Sequence, residues 1–361
     1  MTTNTNPVLV VENVHVGFKT RRKAPMFWAV DGVSLELRSG RTMGLIGESG
    51  SGKSTIANAV LGLVPVHAGH VELMGAKISN LPASRRKTLG KSLQAVFQDP
   101  NTSLNPFWTI GKSLAEPLVA QGGHTRDQIR RRTAQLLSDV GLDPGASHRF
   151  PRQFSGGQRQ RISTARALMT SPKVVICDES VSALDLSVQA QILNLLADLQ
   201  DKHGVSYLFI SHVMSVVRHV CHDVTVLYRG QVMESGPTAL VSAGPAHPYT
   251  RALLLAAPVA DPVKQREKRR AAAAAEAAAP SSNAEPAGCP FASRCPFAVD
   301  KCRAERPVLR ELADGRRVAC HRYPEWQTDI ERFPPGQQQL EQLSRTHTRG
   351  ELDNQPSRPS R

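Results

Sequence analysis

The sequence predicts an α/β nucleotide-binding fold, and three observations carry that prediction. Residues Gly47-Glu48-Ser49-Gly50-Ser51-Gly52-Lys53-Ser54-Thr55 match G-x-x-x-x-G-K-[ST] between an apolar run, Thr42 to Ile46, and a helix-compatible run, Thr55 to Leu63. Lys173 to Cys177 read as a second apolar strand, ending in Asp178-Glu179. Up to about Pro262, strand-like and helix-like segments alternate, with Val188, Ile192, Leu195, Leu196 and Leu199 spaced as the core stripe of a helix.

The first element binds phosphate. Glycines at 47, 50 and 52 let the backbone curl so that successive N–H groups point at phosphate oxygens, aided by the positive end of the helix that starts there. Lys53 is placed to reach the β- and γ-phosphates and the Ser54 hydroxyl to hold Mg²⁺. The second element lies where ligands bind in open α/β sheets, at a strand's C-terminal end. There Asp178 can serve Mg²⁺ through its water shell and Glu179 can polarise an attacking water.

Further motifs carry a resemblance. The phosphate loop, Gln98 in Val96-Phe97-Gln98-Asp99-Pro100, the signature Ser155-Gly156-Gly157-Gln158, Asp178-Glu179, Ser182-Ala183-Leu184-Asp185 and His212 resemble, in order and spacing, the nucleotide-binding subunit of an ABC transporter. Ser103-Leu104-Asn105-Pro106, Val181 to Asp185 and Ala246-His247-Pro248-Tyr249-Thr250-Arg251 are similar to the oligopeptide/dipeptide permease ATPases, with Phe97 to Gly236 closer to the F-type subunit than to the D-type.

The resemblance implies an ABC-type P-loop nucleotide-binding domain with a helical subdomain, which hydrolyses ATP to power a di- or oligopeptide importer. It assigns the γ-phosphate contact to His212, the inter-subunit bridge to Asp185, and the coupling of Mg²⁺ and water to the permease-facing segment Asn101 to Pro106 to Gln98. Ser155, Gly156, Gly157 and Gln158 would complete the γ-phosphate site of a second ATPase subunit, a D-type paralogue or a second copy. Phe18, ending the first strand, is the candidate for stacking on adenine, with Trp28 as the alternative. Two integral-membrane permease subunits and an extracytoplasmic binding protein are the further partners implied, with this chain peripheral on the cytoplasmic face. Nickel chelates or glutathione are alternative cargoes, and a non-transport ATPase acting on ribosomes or DNA is the alternative class. Three positions depart from the family pattern: Ser180-Val181 stand where Pro-Thr is common, Cys177 replaces a small apolar residue, and Val213 follows His212 in place of Asp.

Composition fits without deciding the matter. The 361 residues, 40% hydrophobic, can bury one substantial core. No run of 18 apolar residues and no N-terminal signal pattern occurs, so attachment to the membrane is expected through partners. The net charge of +14 is spread along the chain, since the 18 basic and 13 acidic residues from Lys264 onward leave only +5 there. With 5% aromatics no base-stacking platform is evident, and no nucleic-acid partner is expected. Attraction to an anionic inner leaflet accounts for the charge.

After the ATPase domain, 1–262, residues 263–287 read as an Ala-rich linker and 331–361 as a disordered Gln-, Arg- and Pro-rich tail. Between them, 288–330 form a small extension containing Cys289, Cys295, Cys302 and Cys320, four of the chain's six cysteines. In a cytosolic protein the thiols point to metal, and from the thiols alone structural Zn²⁺ and an iron–sulfur cluster are both open. Gly288-Cys289-Pro290-Phe291, Arg294-Cys295-Pro296 and Ala319-Cys320-His321 resemble the C-terminal extension of dipeptide permease ATPases, which implies a [4Fe–4S] cluster. Cys177 and Cys221 fall in core-like segments and are expected to be packing residues.

Overall fold

The computed structural model describes residues 7–19, 21, 25–98, 103–182, 184–256 and 287–328. The expected boundary at 262/263, nearly all of the linker and the 331–361 tail lie outside these residues. The chain divides into two compact units, Met1–Gln231 and Val232–Arg361.

In the first unit, a parallel sheet runs in the order β6 (Leu93–Val96), β7 (Val174–Asp178), β8 (Ser206–Ser211), β3 (Thr42–Ile46) and β9 (Asp223–Tyr228). Every residue of β3 and β8 is buried, as expected of strands covered on both faces, which is why both read as continuous apolar runs. An antiparallel sheet, β2 (Phe27–Arg38), β1 (Pro7–Phe18), β4 (Ala68–Leu73) and β5 (Ala76–Lys77), alternates buried and exposed residues along much of β2. Its register places Phe18 opposite Phe27.

Helices α1 (Lys53–Leu61) and α2 (Ala83–Leu89) precede a helical portion made of α3 (Ile110–Gln121), α4 (Arg126–Asp139) and α5 (Gly156–Leu168). Its core is apolar, with Leu114, Leu136, Leu137, Val140 and Ile162 fully buried. Helix α4 starts at a reciprocal cap in which the Thr125 hydroxyl accepts from Gln128 N–H while the Gln128 side chain accepts from Thr125 N–H. The stripe read from the sequence lies on α6 (Leu186–His203), with Ile192, Leu195, Leu196 and Leu199 buried. Helix α7 (Met214–Val220) follows β8. Cys177 and Cys221 are buried thiols, and burial pushes Cys177 up to about 12.

In the second unit β10 (Gln231–Pro237) pairs antiparallel with β12 (Arg317–Val318), and β12 with β11 (Arg310–Glu311). Helices α8 (Thr238–Ala243), α9 (Pro248–Ala256), α10 (Asp300–Ala304) and α11 (Glu325–Thr328) complete it. Glu234 is wholly buried yet satisfied: it accepts from Ala246 N–H and His247 N–H, and Arg316 Nη1 stands 3.4 Å away. Burial pushes its carboxyl upward, opposed by these hydrogen bonds and by the guanidinium. Removing Arg316 alone would strand a buried charge, so Arg316→Ala should destabilise the fold by about 3–5 kcal/mol, measurable as a lower denaturant midpoint. Trp326 is also fully buried and donates its indole N–H to Ala246 O at 2.9 Å.

Candidate functional site

Topology assembles the site. Gln98 follows β6, Asp178 and Glu179 end β7, His212 follows β8, and Gly47 follows β3, so four adjacent parallel strands deliver these groups to one edge of the sheet. That edge, outside the carboxyl ends of the strands, is where open α/β folds bind ligands.

The phosphate loop turns sharply into α1. Its cap, Gly52, sits at φ +100°, and a Cβ there would stand 2.4 Å from Ala29 O, so only glycine fits. The same cap starts α1 at Lys53, two residues before the helical run visible in the sequence. Gly52→Ala should therefore cost about 1–3 kcal/mol of stability and weaken ATP binding, readable by thermal denaturation with and without nucleotide.

Lys53 is buried, and its ammonium donates to Gly47 O and Glu48 O, both at 2.8 Å. Burial lowers its pKa, while Glu179, Asp178 and Glu48 oppose the shift. A desolvated cation held by carbonyls is poised to exchange them for phosphate oxygens. Ser54 Oγ donates to Asp178 Oδ1 at 3.3 Å, so the hydroxyl and carboxylate converge on one point. Burial raises the Asp178 pKa, Ser54 and Lys53 pull it down, and Glu179 pushes it up. An under-solvated carboxylate beside a hydroxyl fits a hard divalent cation such as Mg²⁺.

Glu179 occupies a positive φ of 46°. Its backbone is fixed by donation of its N–H to Ile210 O at 3.1 Å and by the Ser182 hydroxyl, which donates to Glu179 O at 2.9 Å. His212 Nδ1 lies 3.4 Å from Glu179 Oε1. Gln98 Nε2 donates to Ser182 Oγ at 3.4 Å, so Ser182 joins Gln98 to the carboxylate's backbone. In sequence Ser182 stands only as part of the Ser182-Ala183-Leu184-Asp185 motif, because the bridge is made in three dimensions.

The signature segment stands apart. Ser155 caps α5, its hydroxyl accepting from Gln158 N–H at 3.3 Å while the Gln158 side chain accepts from Ser155 N–H at 3.0 Å. Gly157 is dictated by packing, since a Cβ there would meet Val188 Cγ1 at 2.5 Å. Asp185 caps α6 by accepting from Val188 N–H and from the Ser187 hydroxyl, and these two bonds hold its carboxyl below the usual range. Among the described residues, no hydrogen bond joins the Ser155 side chain to Gly47–Thr55.

Both aromatic candidates are partly exposed, Phe18 at 42% and Trp28 at 41%. Trp28 is engaged edge-on by His15 and His67, with ring centroids 5.9 and 5.7 Å away, whereas Phe18 neighbours the still more exposed Phe27.

The second unit brings the four cysteines into one another's electrostatic reach. Cys289, Cys295 and Cys302 are buried, and Cys289 N–H donates to Cys302 O at 2.8 Å. Burial pushes Cys289 up to about 11 and Cys320 up to about 12, and neighbouring thiols of the set push each further. Cys295 moves upward for the same reasons, with Cys320, Cys289 and Cys302 all contributing. Among the described residues, no group of three or more His, Cys, Asp or Glu side chains is arranged to hold a metal ion.

Comparison with known proteins gives concordant matches. Residues 30–182 match the ABC transporter family model, and residues 233–302 match the model for the oligopeptide/dipeptide transporter C-terminal region. The chain is 45% identical over 293 residues to the di/tripeptide transport ATP-binding protein DppF of Pseudomonas aeruginosa, covering 81% of this chain and 89% of that one. It is 43% identical over 310 residues to the oligopeptide transport ATP-binding protein OppF of Escherichia coli, covering 84% and 92%. Among solved structures, a dimeric post-hydrolysis ATP-binding cassette bound to ADP and Pi matches with a TM-score of 0.57 and 27% identity, over 64% of this chain and 98% of that one.

Proposed function

This chain belongs to the ABC transporter family, in its oligopeptide/dipeptide branch, and we propose that it is the ATP-hydrolysing subunit of an importer of di- or oligopeptides. One observation carries the reading: Lys53, Ser54, Asp178, Glu179 and His212 converge at one edge of a parallel sheet, with Ser54 3.3 Å from Asp178 and His212 3.4 Å from Glu179. In this reading Gly47 to Thr55 cradle the phosphates. Ser54, Asp178 and Gln98 would hold Mg²⁺, which when bound would supply neutralisation of phosphate charge. Glu179 orients the attacking water and His212 contacts the γ-phosphate. Phe18 takes the adenine face, supported by its exposure where Trp28 is already engaged by two imidazoles.

Ser155, Gly156, Gly157 and Gln158 serve nucleotide held by a second ATPase subunit, and Asp185 bridges the two. The absence of a bond from Ser155 to its own phosphate loop, among the described residues, supports this head-to-tail arrangement. Two membrane permeases and a peptide-loaded binding protein complete the assembly. No helix among the described residues is long and apolar enough to cross a membrane, which suits a subunit attached through those partners at the cytoplasmic face. The test is ATP-driven uptake by the reconstituted transporter with labelled peptide, nickel chelate and glutathione in parallel. Uptake of peptide is expected, and uptake of either alternative without peptide would move this chain to another importer.

Cys289, Cys295, Cys302 and Cys320 would hold a [4Fe–4S] cluster, which supplies a four-point crosslink to the extension. A four-iron cluster takes one thiolate at each corner. It keeps the sulfurs further apart than the roughly 3.8 Å edge of a ZnS₄ tetrahedron with bonds of about 2.3 Å. Four thiols within one another's electrostatic reach supply the number of ligands such a cluster takes. Anaerobically purified protein should be brown, with about four irons per chain. A colourless preparation with stoichiometric zinc would replace the cluster by Zn²⁺, and replacing all four cysteines by serine should remove the colour and spare ATP binding.

A further inference from the structure

Arg166 lies on α5, the helix that Ser155 begins, about three turns from the signature motif. Its guanidinium holds two other elements at once. Nη1 donates to Ser103 O at 2.7 Å and Nη2 to Glu116 Oε2 of α3 at 2.5 Å. A second link runs beside it, where the Ser103 and Ser163 hydroxyls are 3.2 Å apart and Ser163 again belongs to α5. The start of the 103–108 segment is thus tied twice to the signature helix and once, through the guanidinium, to α3.

That segment is rigid at its base and apolar at its tip. Asn105 Oδ1 accepts from Phe107 N–H at 3.0 Å, Asn105 O accepts from Trp108 N–H at 3.1 Å, and Lys112 lies over the Trp108 ring at 4.3 Å. Phe107 is 86% exposed. Arg166 and Ser103 line both neighbouring grooves: an open one of about 660 Å³ along 103–108 and Glu116, and one of about 290 Å³ reaching Phe97, the residue before Gln98. Only arginine can bond a carbonyl and a carboxylate in one plane this way, since the lysine ammonium is a point charge.

We propose that Arg166 is a positioning residue that transmits displacement of the 103–108 segment to α5, and so to the Ser155 end of that helix. The inference rests on the reading above in which Asn101 to Pro106, which overlap this segment, meet the permease. A helix tied at its far end to the docking segment carries a displacement of that segment along its length, through a contiguous chain of hydrogen bonds. Glu116 keeps the guanidinium in line and shares the role.

The test uses the full chain alone and in the reconstituted transporter. Arg166→Gln should lower peptide-stimulated ATP turnover by about three- to thirtyfold. ATP affinity and basal hydrolysis of the isolated chain, and its co-purification with the permease, should stay at wild-type values. Arg166→Lys should recover part of the stimulation. Glu116→Gln should lower stimulation less, and its effect should be non-additive with Arg166→Gln, a coupling that a general loss of stability would not produce. If Arg166→Gln does not fold, Glu116→Gln and Arg166→Lys carry the same comparison. Wild-type stimulation in these variants, or equal loss of ATP affinity in the isolated chain, overturns the proposal. Phe107→Ala tests the underlying reading separately: it should weaken co-purification, and unchanged association and stimulation would remove the docking role of the segment and the Arg166 proposal with it.

Discussion

Glu179→Gln should bind ATP with near wild-type affinity and lose turnover by about a hundredfold or more, the contribution of a positioned general base. The substitution keeps the side chain's shape and removes the charge that polarises water. It also leaves the backbone in place, because the turn at φ 46° is fixed by Glu179 N–H to Ile210 O and by the Ser182 hydroxyl to Glu179 O, neither of which involves the carboxylate. The contact at risk is His212 Nδ1, 3.4 Å from Glu179 Oε1, and an amide oxygen can still accept there. Equilibrium ATP binding and steady-state phosphate release separate the two effects. Steady-state release near the wild-type rate would deny Glu179 the water-activating role.

Ser155→Arg should have an effect as large, but only in the assembly. The hydroxyl caps α5 through Gln158 N–H, so its loss costs the isolated chain about 1 kcal/mol. Nothing in that cap touches the chain's own phosphate loop, so ATP affinity of the isolated subunit should be almost unchanged. In a head-to-tail pair the long cation would occupy the place of the partner's γ-phosphate and turnover should vanish. Calorimetric ATP binding to the isolated chain and ATPase assay of the complex read the two quantities. Equal loss of binding in the isolated chain would place Ser155 in its own pocket.

The site was largely legible because its residues sit in contiguous motifs whose spacing reflects local geometry. The G-x-x-x-x-G-K-S run, Asp178-Glu179 after an apolar strand, and Ser155 before Gln158 each encode a turn or cap made within a few residues. Contacts made across the fold were not legible. Ser182 lies 84 positions from Gln98, and Arg166 lies 63 and 50 positions from Ser103 and Glu116, so no local pattern announces either bridge. The buried Glu234–Arg316 pair spans 82 positions and reads in sequence as two ordinary surface charges. The imidazoles of His15 and His67 at the Trp28 edges, 13 and 39 positions away in sequence, were likewise not legible. The four cysteines were conspicuous as a cluster in sequence, but the approach of Cys289 to Cys302, through Cys289 N–H and Cys302 O, was not.

ATP hydrolysis by this chain should drive peptide import. Its most direct measurement is peptide uptake into proteoliposomes carrying the complete transporter, with either ATP·Mg²⁺ or a non-hydrolysable ATP analogue supplied on the side where this subunit sits. Accumulation of labelled peptide with ATP·Mg²⁺, and none with the analogue or with Glu179→Gln, is the predicted result. Accumulation against a gradient with the analogue, at the rate seen with ATP, would contradict it.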